Sequence, residues 1–119
     1  MRFITEKIHS LLDYPVAVAL IVMPFLLGLG ASNPLALYLS VITGVAALTL
    51  TVLTNHDTGL VKVIPYKIHL MVDFSVAIVF ILVPFVLSFK GLDAYYYWVN
   101  GAAVLTVVSL HKPEEVQAS

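Results

Sequence analysis

The chain has 119 residues, enough for one small domain, yet 61% are hydrophobic, 11% are charged, and mean hydropathy is +1.01. A soluble domain is nearer half apolar and a quarter charged, and so short a chain cannot bury that much apolar surface within itself, so lipid must solvate the remainder. A net charge of −1 leaves no basic field for nucleic acid, and the lack of cysteine excludes disulfides, thiolate metal sites and Cys nucleophiles.

The first apolar run extends from about Leu11 to Leu29 and the second from about Leu35 to Leu53. The third covers about Ile68 to Phe89, and the fourth about Ala94 to Leu110. Each approaches the roughly 20 residues that a helix needs to cross a bilayer, and none shows the period-2 alternation of a barrel strand. The fourth is diluted by a tyrosine-rich start and Asn100. Between the runs, Gly28 and Gly30 with Asn33-Pro34, then Asn55-His56-Asp57-Thr58-Gly59 with Pro65, then Lys90-Gly91-Leu92-Asp93, read as turns, with Asp93 an N-cap. The tail from Lys112 to Ser119 is polar. The first run is long for a signal peptide and has a near copy later in the chain, so it is expected to be retained.

Arg2, Lys7, Lys62, Lys67 and Lys112 fall on the side holding both termini and the middle loop, and Lys90 alone on the other. That bias places both termini in the cytoplasm, with a bacterial inner membrane as the expected location. Tyr95, Tyr96, Tyr97 and Trp98 then form an aromatic anchor at the outer interface.

Residues 7–26 (KIHSLLDYPVAVALIVMPFL) and 67–86 (KIHLMVDFSVAIVFILVPFV) share nine of 20 positions at an offset of 60. Lys, His, Asp and Pro do not fall into register readily by chance. The expected fold is therefore an all-α bundle of four transmembrane helices in a single domain. Two tandem hairpins, about 5–56 and 65–111, are related by a pseudo-twofold axis along the membrane normal.

Met23-Pro24-Phe25 and Val83-Pro84-Phe85 each lie near the end of the first helix of a unit. Together with Thr54-Asn55-His56-Asp57-Thr58-Gly59-Leu60 and the stretch from Ile64 to Asp73, they resemble the SPW-repeat integral membrane proteins of bacteria. The resemblance covers nearly the whole chain. It implies a four-helix membrane fold and carries no established biochemical activity.

The most informative polar residues are His9 with Asp13 and their repeat, His69 with Asp73. Each pair is spaced i, i+4, so both side chains share a helix face. If the two units converge, two imidazoles and two carboxylates suit a borderline divalent ion such as Zn, Mn or Fe(II). His9 and His69 could instead ligate a haem, or the set could serve as a proton relay or anion gate with titrating Asp13 and Asp73. Structural hydrogen bonding is the plainer reading. His56 and His111 fall at the same membrane level and read as loop residues.

Pro24 and Pro84 free the carbonyls of Leu20 and Phe80, which neighbouring hydroxyls or helices can re-satisfy. Gly44 and Gly101 permit close helix approach. Asn100 reads as an interhelical hydrogen bonder, and Thr43, Thr49, Thr51 and Thr54 can bond back to their own helix. There is no phosphate-cradling glycine loop, nucleophile elbow, H-E-x-x-H or dinucleotide fingerprint. The leading expectation is a non-enzymatic membrane protein acting by assembly or partner binding, whether with its own copies or another membrane protein. The alternatives are a metal- or haem-binding protein and a small transporter or channel subunit.

Overall fold

The computed structural model describes residues 4–54 and 59–110. Four α-helices run through them in an all-α fold: α1 (Glu6–Leu26), α2 (Leu35–Leu53), α3 (Tyr66–Val86) and α4 (Leu92–Ser109). α1, α2 and α3 are long and apolar enough to cross a membrane. Many large apolar side chains point outward, among them Phe25, Leu26, Ile42, Phe85 and Val86. In water such faces would be costly; in lipid they are matched to their solvent. His56, His111 and the tail from Lys112 lie outside the described residues.

α1 begins five residues before its apolar run because Thr5 caps it, its hydroxyl oxygen accepting from the Ile8 amide at 3.2 Å. His9 and Asp13 are consequently already helical. The far ends of α1 and α3 close alike. After α1, Gly28 takes a left-handed φ of 65°, and the Leu29 amide reaches back to the Pro24 carbonyl at 2.9 Å. After α3, Ser88 stands at the same place with φ 58°, and the Phe89 amide reaches Pro84 at 3.0 Å. Both are Schellman closures, and the following Leu29 and Phe89 turn into the core.

Within each hairpin the helices meet at a glycine. A Cβ on Gly44 would stand 2.9 Å from the Ala17 carbonyl and 2.7 Å from the Ile21 side chain. One on Gly101 would stand 3.0 Å from both the Ala77 carbonyl and Ile81. Ala17 and Ala77, and likewise Ile21 and Ile81, are related by the offset of 60, so the duplicated sequence makes duplicated contacts. The entry segments repeat as well, crossing to the other hairpin. The Ile4 amide donates to the Leu110 carbonyl at 3.0 Å, and the Ile64 amide to the Leu53 carbonyl at 2.9 Å.

At the end bearing the two Schellman closures, Leu20, Phe80, Phe89, Tyr96 and Tyr97 form the core. The Tyr97 hydroxyl donates to the Ala36 carbonyl at 2.6 Å. Ser40 donates to the Leu20 carbonyl at 2.8 Å, re-satisfying the acceptor that Pro24 strands. Having spent its one hydrogen, Ser40 accepts from the Tyr96 hydroxyl. The expected aromatic anchor is therefore only half an anchor. Successive helical residues point about 100° apart, so four aromatics in a row cannot share a face. Tyr95 remains exposed and Trp98 half-buried, whereas Tyr96 and Tyr97 are core residues.

Asp93 does not cap its own helix; Gly91 holds that position. From the first turn of α4, its carboxylate accepts from the Gly30 and Ser32 amides, each at 2.9 Å, and from the Ser32 hydroxyl. It thus fastens the loop of the first hairpin to the second. Burial alone would raise the pKa of this group, which precedes the apolar run of α4, but the bonds from Ser32 and Gly30 hold it below the ordinary 3.8. Asn100 donates to the Tyr96 carbonyl of its own helix at 2.8 Å rather than across to a neighbour, because that carbonyl lies one turn back on the same face. The four threonines bond to their own helices as expected.

Candidate metal centre

The first turns of α1 and α3 lie against each other, and the two His/Asp pairs meet there. His9 Nε2 lies 2.9 Å from Asp73 Oδ2 and 3.2 Å from Asp13 Oδ1. His69 Nε2 lies 3.2 Å from Asp13 Oδ2 and 3.2 Å from Asp73 Oδ2. Each imidazole therefore faces the carboxylate of its own helix and that of the other. One possible ligand atom from each of the four residues falls within 4.8 Å of all the others. The histidines are 3% and 1% exposed, the aspartates 12% and 20%.

The surroundings fix the rings. Tyr66, itself fully buried, stands edge-on to His9 with ring centroids 5.9 Å apart and lies 6.1 Å from His69. The two imidazoles are 5.7 Å apart and nearly perpendicular. Thr54, at the end of α2, has one hydroxyl hydrogen and gives it to the Leu50 carbonyl at 2.5 Å. Its oxygen then accepts from His69 Nδ1 at 2.7 Å, so Nδ1 carries a proton and Nε2 is the atom turned toward the carboxylates.

A neutral His69 with its proton on Nδ1 would aim a lone pair at carboxylate oxygens, which is repulsive unless a cation stands between them. Two carboxylates at the mouth of a membrane helix also require two positive charges nearby. Two imidazolium protons would supply them, as would one divalent ion. Protons fit as well, His9 Nε2–H reaching Asp73 at 2.9 Å, although each Nε2–H would then be shared between two carboxylates, whereas one ion faces all four groups at once. The four His–Asp separations of 2.9 and 3.2 Å also suit an ion: with bonds of about 2.1 Å, neighbouring ligands stand about 3.0 Å apart around an octahedral ion and about 3.4 Å around a tetrahedral one. Haem fits badly, because Asp13 and Asp73 occupy the space beside both Nε2 atoms through which a porphyrin would pass.

All four residues singled out in the sequence thus come together. Thr54 and Tyr66 were not expected at the site. Tyr66 lies one helical turn before His69, a spacing that puts both on one face. The contact of Thr54 spans the turn between the hairpins and has no local sequence signal. The centre also lines a cavity of about 530 Å³ between the hairpins, walled by all four helices. Comparison with family models, curated proteins and solved structures finds no match for the chain.

Proposed function

We propose that this is an integral membrane metal-binding protein in which His9, Asp13, His69 and Asp73 hold one borderline divalent cation at the junction of the two hairpins. The observation that carries the reading is that both Nε2 atoms face both carboxylates, an arrangement that one central ion would serve with a small inward shift of the four side chains. Such an ion would neutralise the two carboxylates while leaving both imidazoles neutral. Two nitrogen and two oxygen donors favour Zn, Mn or Fe(II) over a hard ion such as Mg. His69 would be oriented by Thr54, as metal-bound histidines are oriented by an acceptor on their other nitrogen.

The paired recurrence of contacts supports a pseudo-twofold axis through the centre, and the distribution of lysines supports a cytoplasmic orientation for it. Elemental analysis of protein purified from metal-supplemented cells tests the proposal. One equivalent per chain is expected, falling to background in Asp13→Asn with Asp73→Asn. Equal metal in the wild type and the double variant would refute it.

A further inference from the structure

α1 packs closely on α2 and α3 on α4, and the polar contacts between the hairpins fall at their two ends. One meeting point is the His/Asp centre. The other is the cluster in which Asp93 holds Gly30 and Ser32 while Tyr97 and Tyr96 bond to Ala36 and Ser40. Between these clasps lies the 530 Å³ cavity.

A cavity of about 150 Å³ lined by aliphatic side chains stays dry and takes up benzene, and pockets of about 300–1,000 Å³ accommodate ligands of drug size. Here the walls are chiefly valine, leucine and alanine. Where longer side chains would close the space stand Ala46, Ala47 and Ala103. Thr43 and Thr51 also line it, but their hydroxyl hydrogens go to the Leu39 and Ala47 carbonyls of their own helix. Water, which needs two to four polar partners, is poorly served by such walls.

Asn100 also lines the cavity, its amide nitrogen donating to the Tyr96 carbonyl of its own helix, and the cavity is most polar where His9, Asp13, His69 and Asp73 enter it. With a divalent ion in place that end is electroneutral. An anionic head would then be repelled by the carboxylates, and a cationic one would compete with the ion. A neutral oxygen could join the ion, whose coordination can expand, or bond to Asp73, the most exposed of the four. We infer that this cavity binds one neutral amphiphile drawn from the bilayer, its apolar body lying between the hairpins and its hydroxyl or carbonyl head turned toward the His/Asp centre. The placement of the head rests on the metal reading; the seating of the apolar body does not.

The test is photolabelling in phosphatidylcholine nanodiscs with a long-chain alcohol that carries a diazirine in its chain, followed by mass-spectrometric mapping of the adducts. Adducts are expected on Val76, Val104 and Val107, and to fall about tenfold in Ala103→Phe and in the gentler Ala47→Leu. Adducts on the outward-facing Phe25 and Val86 should be unchanged, and thermal unfolding followed by circular dichroism reports that the variants remain folded. Adducts confined to outward-facing residues, or lining adducts that neither substitution reduces, would overturn the inference. Lining adducts in a protein that binds no metal would support the cavity assignment while contradicting the metal reading.

Discussion

Replacing Thr54 by Val retains the side-chain volume at a fully buried position and removes the single oxygen that accepts from His69 Nδ1 at 2.7 Å. The Nδ1–H is then left buried without that acceptor, which costs about 1–3 kcal/mol. The imidazole also loses the bond that keeps Nε2 facing the carboxylates. Removing an outer partner of a metal-bound histidine typically lowers metal affinity about 10–100-fold, or about 1.4–2.7 kcal/mol. The Leu50 carbonyl loses its hydroxyl donor too, but it lies in the last turn of α2, where the backbone is adaptable. Titration calorimetry with Zn on metal-stripped Thr54→Val should therefore show one site of weakened affinity, with helicity by circular dichroism retained. An affinity within about twofold of the wild type, well below the range expected for an orienting partner, would refute the tautomer reasoning.

Three other outcomes follow from the packing. Gly44→Ala forces a Cβ against the Ala17 carbonyl and the Ile21 amide, each at 2.9 Å, and should destabilise by about 1–3 kcal/mol in detergent unfolding, with Gly101→Ala milder because its contacts begin at 3.0 Å. Ser88→Gly relieves a left-handed φ of 58° that Gly28 already accommodates in the first hairpin, and should stabilise by about 0.5–1 kcal/mol in the same assay. Asp93 has its pKa lowered in the fold, so its contribution is present above the unfolded value near 3.8 and is lost as pH falls through the lower folded value. Asp93→Asn, which turns a donor toward the Ser32 donors, should cost about 1.5–3 kcal/mol at neutral pH and flatten the acid limb of the stability profile.

The four helices and the duplicated pairs were legible because long apolar runs and a register of Lys, His, Asp and Pro at an offset of 60 are local properties of the chain. Local signals also placed His9 above Asp13. They could not show that His9 Nε2 lies closer to Asp73 than to its own Asp13, since that depends on how far one hairpin slides along the other. Asp93 illustrates the same limit. A carboxylate at a helix start reads as a cap, yet the donors it serves, on Gly30 and Ser32, are some sixty residues away. The aromatic run failed for a different reason. An interfacial preference belongs to residue type, whereas the helical turn between Tyr95 and Tyr97 divides exposed from core-facing positions.

X-ray absorption on the zinc-loaded protein tests the proposed His/Asp metal site most directly. Two imidazole nitrogens and carboxylate oxygen at about 2.0–2.2 Å are expected, with the imidazole scattering lost when both His9 and His69 are changed to Ala. A zinc shell of oxygen alone, or one unaltered by the double substitution, would contradict a centre built from the paired histidines and aspartates.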